Sequence, residues 1–162
     1  MLAIARGTLD DVPEADALIR ATADWLIRKG EPLWGPNETS LDELKRVTRA
    51  GELVLGRVER ELASCMFVHD EDRVFWPQVP LGEALYLHRL AVARKHAGRG
   101  YAHAMLEWAA GEARAKGRRF LRLDCEARPK LLALYAEAGY RRIDPAPIAV
   151  GEHLVVRHEK AL

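Results

Sequence analysis

The chain has 162 residues, 49% of them hydrophobic and 30% charged, with a formal net charge of +1. That balance is globular: it excludes a disordered chain and a nucleic-acid binder that works through bulk positive charge. The two cysteines, Cys65 and Cys125, have no metal-ligand spacing and suit reduced thiols in a cytoplasmic protein, and no apolar run approaches the roughly 20 residues of a membrane span.

Residues 2–7 read as a short strand, after which Thr8, Asp10 and Asp11 supply helix-start chemistry. From 12 to 28, Val12, Ala15, Leu18, Ile19, Thr22 and Leu26 recur at spacings of three and four and predict an amphipathic helix. GEPLWGPN (30–37) reads as a loop. A second helix opens at Thr39 or Ser40, with Glu43 completing a capping box, and stops at Gly51. Strands at 52–58 and 61–69 form a hairpin turning at Glu59 and Arg60. The proline-broken stretch 70–83 predicts a loop across a sheet edge. A strand at 84–92, a helix at 101–116, a strand at 120–125 and a helix at 129–137 capped by Gly139 follow. Residues 140–143 and 153–158 are closing strands. This order predicts one α/β domain over 1–162 with a mixed sheet, free of repeats and interdomain linkers.

LAVARKHAGRGYAHAML (90–106) carries the chemistry. A strand through Leu90, Ala91 and Val92 passes into a helix by way of Arg94, Lys95, His96, Ala97, Gly98, Arg99 and Gly100. The helix packs one face, with Ala102, Met105, Leu106, Ala109 and Ala113, so its N-terminal N–H groups point out of a fixed scaffold as an anion site. Gly98 and Gly100 leave room for a phosphate, and the four basic residues add charge. The same residues also suit a solvated basic turn. The third glycine of a dinucleotide fingerprint is absent, as is the Gly-Lys-Ser/Thr of a Walker loop.

LHRLAVARKHAGRGYAHAML resembles the coenzyme A segment of the GNAT superfamily of N-acetyltransferases, whose Gln/Arg-x-x-Gly-x-Gly/Ala signature falls on Ala97, Gly98, Arg99, Gly100, Tyr101 and Ala102. Ala97 departs from it. LRLDCEARPKLLALYAEAGYR is similar to the family's second half: Tyr135 falls on its tyrosine, Gly139-Tyr140 on its Gly-aromatic pair, and Arg128 stands where Asn is usual. The two motifs cover residues 84–143.

The resemblance implies a single GNAT-like domain: a twisted, mostly antiparallel sheet of six or seven strands, about four helices, and a splay between the strands at 84–92 and 120–125. It implies direct acetyl transfer from acetyl-CoA to a small-molecule or peptide amine. Leu90, Ala91 and Val92 would line the pantetheine arm, residues 97–102 would hold the pyrophosphate, and Arg128 would face the same cofactor. Tyr135 is the implied general acid, against an ordinary role as a helix tyrosine. His88 is in reach of the acetyl end as a general base, or is a structural strand histidine; Glu83 acting through water is an alternative. Tyr86 and Trp34 would shape the acceptor pocket, Trp34 also suiting a lid on the core. Cys125 has no histidine partner in sequence and is not expected to be a nucleophile. An acyl-CoA sensor on the same fold is the competing reading. The basic run at 114–119 reads as a solvated face, so no nucleic-acid partner is expected, nor a metal; a homodimer through sheet edges is compatible.

Overall fold

A computed structural model describes residues 1–162. The chain divides into two compact units: residues 1–67 with 89–105, and residues 68–88 with 106–162.

In the first unit β1 (Ala3–Arg6) pairs antiparallel with β2 (Leu53–Val58), and β2 with β3 (Glu61–His69). Glu59 and Arg60 both take positive φ at the hairpin, 56° and 101°, the twist that a two-residue turn requires. Thr8 and Asp11 close a 3-10 turn over Leu9–Asp11, and α1 (Val12–Arg28) follows with Pro13 in its first turn. Ser40 caps α2 (Leu41–Arg49) by accepting the Glu43 N–H at 3.2 Å. The Glu43 carboxylate accepts from Arg46 at 2.7 and 2.8 Å. Val12, Ala15, Ile19, Leu44, Val47, Leu53 and Cys65 make one core under both helices.

β3, β4 (Ala84–Val92) and α3 (Tyr101–Ala115) each run from one unit into the other along the chain. In the second unit Ala84–Leu87 of β4 pair parallel with Phe120–Leu123 of β5 (Phe120–Cys125), joined by the crossover through α3. β5 pairs antiparallel with β8 (His153–Ala161), which also takes β6 (Arg141–Arg142) and β7 (Ile148–Val150). α4 (Pro129–Glu137) precedes β6 and ends at Gly139, φ +85°.

The sheet is mixed and eight-stranded, one strand more than the upper expectation. The extra strand is β7, three residues after a Pro-Ala-Pro run, too short to show an alternation. The β4–β5 register ends at Leu87 and Leu123, and Arg89, two residues on, stands at φ +55°. A non-glycine there is strained, so the fold holds a break in β4 where pairing stops. The 70–83 segment is no mere strap: Asp72 Oδ1 accepts the N–H groups of Val74 and Phe75, and the turn it builds drives Trp76 into a core with Ala84 and Tyr86.

Candidate active site

The turn before α3 is built for an open backbone. Arg94–His96 wind into one 3-10 turn, then Gly98 and Gly100 both adopt φ +77°. Nothing lies within 4 Å of a Cβ added at either, so these glycines are required for conformation and the space above them is clear. The first helical bond of α3 runs from the Ala104 N–H to the Gly100 carbonyl, which leaves the Tyr101 and Ala102 N–H groups outside the helical ladder. These residues fit a pyrophosphate.

The surrounding charges correct the expectation. The Arg94 guanidinium lies 3.8 Å from the centroid of the Trp25 ring, and Lys95 and His96 turn to Glu61. Three of the four basic residues thus turn to partners in α1 and β3. Arg99 alone is exposed with no partner. Ala97 adds no side-chain contact, and the Tyr101 ring packs 5.9 Å from that of His96.

Along β4 in the same unit, Ala91 is buried in the core, while Leu90 and Val92 alternate with it on the opposite face. Arg89, at the break, donates to the Glu38 carbonyl at 3.0 Å and its carboxylate at 3.2 Å. Trp34 lies beneath that guanidinium. It packs on the core and also lines an open cavity of about 300 Å³ with Arg20, Ala23, Asp24, Ile27 and Pro36.

In the second unit His88 sits in a cluster that sequence separation concealed. Its Nε2 is 3.0 Å from Asp72 Oδ2 and its Nδ1 is 3.8 Å from Asp124 Oδ1. The His69 and Phe75 rings flank it at 5.3 and 6.1 Å. Burial would raise the Asp72 carboxyl, but the bonds from His88, Phe75 and Val74 outweigh it and hold the group below the usual range, ionised at neutral pH. Neither aspartate carried a sequence signal: Asp72 lies in an irregular loop and Asp124 ends a strand. One histidine and two carboxylates are also metal-ligand types, and their donor atoms lie within 4.8 Å of one another.

Tyr135 is buried, its ring 5.9 Å from Tyr140 and 5.8 Å from His158. Burial, with the neighbouring Cys125 and Asp124, pushes its phenol well above the usual value, so it carries its proton at neutral pH and can only donate it. Cys125 does have a histidine neighbour: its Sγ is 3.9 Å from His158 Nδ1. That nitrogen is committed to the Val156 carbonyl at 3.1 Å, and burial lowers the imidazole's pKa. The Cys125 thiol, pushed up to about 12 by burial and then by Asp124, is no nucleophile.

Tyr86 and Glu83 are placed differently from expectation. Tyr86 is 2% exposed, packed on Trp76, and its hydroxyl accepts from Arg122; it shapes the core rather than an opening. The reason is the buried Arg122, which needs acceptors: it takes Glu83 at 2.8 Å and Glu159 at 2.7 Å. Glu83, also 3.4 Å from Arg119, is held by two guanidinium groups. Arg128 starts α4 without a side-chain cap, as a donor-only group must, and pairs with Glu126 at 2.7 Å. Both line an open cavity of about 410 Å³ with Pro147, Glu152, His153 and Leu154.

The family model for the acetyltransferase (GNAT) domain matches residues 46–155. An uncharacterized N-acetyltransferase of Bacillus subtilis (strain 168), YesJ, is 28% identical over 138 residues, covering 81% of this chain and 77% of that protein. A GNAT-family acetyltransferase of Listeria monocytogenes superposes with a TM-score of 0.83 at 22% identity, covering 99% of this chain and 95% of that one. The PaiA N-acetyltransferase of Thermoplasma acidophilum, solved in complex with coenzyme A, gives 0.77 at 12% identity, covering 100% and 99%. The family model spans more than half of the chain, and the fold superposes on those of solved members. This chain belongs to the GNAT acetyltransferase family.

Proposed function

We propose that this protein, acting as one domain over residues 1–162, is an N-acetyltransferase that moves the acetyl group of acetyl-CoA directly onto an amine, small-molecule or peptide, in the cytoplasm. The observation that carries the reading is the turn at 97–102: two glycines held at φ +77°, clear space above both, and one exposed arginine between them. The N–H groups of this turn and of the first turn of α3 hold the pyrophosphate, assisted by Arg99. Leu90, Ala91 and Val92 present backbone to the pantetheine arm, and Arg128 faces the cofactor. Acetyl-CoA supplies a thioester carbonyl for attack and a thiolate leaving group.

An N–H of β4 near Leu90 donates to the carbonyl oxygen as charge develops there, a preorganised interaction of about 3 kcal/mol. His88 receives a proton from the incoming ammonium, and the freed lone pair attacks. An ammonium sheds two protons on becoming an amide: one goes to His88 and then to water, the other, relayed by Tyr135, to the departing sulfur. Trp34 lines the acceptor side. The His88 imidazole, oriented by Asp72, favours turnover over an acyl-CoA sensor, which needs no base.

Calorimetric titration with acetyl-CoA, with dephospho-coenzyme A and NAD as controls, tests the reading. Micromolar binding of acetyl-CoA, weakened at least tenfold by Arg99→Glu, is expected. Equal affinity for NAD, or no binding, overturns it.

A further inference from the structure

We infer that Asp72 is the positioning residue that makes Nδ1 the basic nitrogen of His88, and that this nitrogen and Asp124 together receive the acceptor as a primary ammonium. The inference rests on the acetyltransferase reading and adds to it the roles of Asp72 and Asp124.

The hydrogen bonds of Asp72 fix where the His88 proton lies. An ionised carboxylate is acceptor-only, and Asp72 is fully engaged: Oδ1 takes the Val74 and Phe75 N–H groups at 3.0 Å, and Oδ2 faces His88 Nε2 at 3.0 Å. Nε2 must therefore carry a hydrogen, and in the neutral ring the lone pair lies on Nδ1. The two backbone donors come from the turn that buries Trp76, so the orientation of Asp72 is set by the core rather than by an exposed loop. His69 and Phe75 pack against the ring and limit its rotation.

Nδ1 then faces Asp124 Oδ1 at 3.8 Å, too long for a direct bond. An ammonium nitrogen about 2.8 Å from each reaches both. Asp124 attracts the positive form, and Nδ1 takes one N–H proton as the nitrogen lone pair is released. With side-chain exposures of 17% for His88, 10% for Asp124 and 6% for Asp72, the histidine is the member of the cluster most open to an incoming group. A neutral acceptor such as an alcohol offers Asp124 a hydrogen bond but no charge–charge attraction, and so binds it more weakly.

The test is nitrogen-15 NMR of histidine-labelled protein, with His88→Gln assigning the resonance. The Nε2–H tautomer is expected in the wild type and a loss of that single tautomer in Asp72→Asn, with circular dichroism showing that the variant is folded. n-Butylammonium should perturb Nδ1, n-butanol should not, and Asp124→Asn should abolish the response. With a turned-over amine, Asp72→Asn should lower kcat by about a hundredfold at similar KM, and Asp124→Asn should act mainly on KM. An Nδ1–H tautomer, or equal response to butylammonium and butanol, overturns the inference. So does stoichiometric zinc binding at His88 that butylammonium does not displace. These outcomes are independent of acetyl-CoA binding: a protein that binds acetyl-CoA but shows the Nδ1–H tautomer keeps the acetyltransferase reading and loses this one.

Discussion

Replacing Gly100 by Ala isolates the backbone of the pyrophosphate turn. The added methyl meets nothing within 4 Å, so no clash contributes, and the whole effect comes from φ +77°. A left-handed conformation costs a non-glycine residue about 1–2 kcal/mol, and for a domain of this size each kcal/mol shifts Tm by roughly 2–4 °C. The expected loss is therefore about 2–8 °C. The cheaper response is for the turn to relax toward negative φ, which re-aims the N–H groups beside it. Hydrogen bonds from such groups to an anion contribute about 1.5–3 kcal/mol each, so losing one weakens acetyl-CoA binding by roughly 10- to 100-fold. Gly111→Ala is the control: it sits inside α3, away from positive φ, with open space for the methyl, and should raise Tm slightly without touching affinity. The assays are thermal melting and calorimetric titration on all three proteins. Gly100→Ala with a lowered Tm and unchanged acetyl-CoA affinity would refute the reasoning, because the strained turn would then have no part in holding the anion.

Three further outcomes follow from the second unit and the core. Arg122→Met leaves Glu83 and Glu159 without their buried partner and should cost about 3–5 kcal/mol, whereas the added substitutions Glu83→Gln and Glu159→Gln should restore much of it; a single variant melting like the wild type would remove Arg122 from the account of the core. Burial raises the Cys65 and Cys125 thiols from 9.0 to about 12, so their contribution is complete below pH 9 and is lost as pH climbs toward 12. Melting curves should fall through that window, less steeply in Cys65→Ala/Cys125→Ala, and a thiol reagent at pH 8 should label only unfolded chains. Asp144, held low first by the Arg157 guanidinium, contributes stability above the ordinary carboxylate range that disappears as pH falls through its depressed value. Asp144→Asn should therefore flatten the acid side of the stability curve, and an unchanged acid limb would count against that ion pair.

What the sequence determined by itself was local. Spacing of Val12, Ala15 and Ile19, the Ser40 cap, the Gly-x-Gly turn and Gly139 each act through neighbouring backbone, so their helices and turns were legible, as was the mixed sheet that their order demands. β7 escaped because three residues cannot show a period. The fate of charges was decided only by tertiary structure. Arg94, Lys95 and His96 read as cradle residues, yet Trp25 and Glu61, from α1 and β3, take them. Tyr86 and Glu83 read as site residues, yet a buried guanidinium from β5 claims both. The same principle created what sequence missed: Asp72 and Asp124 reach His88 from positions 16 and 36 residues away, across a loop and a crossover helix. A charge in a low-dielectric interior, such as Arg122 or Asp72, must find a partner, and an exposed one such as Lys95 takes what lies beside it. In both cases the partner is whatever the fold brings near, at a sequence distance no motif records.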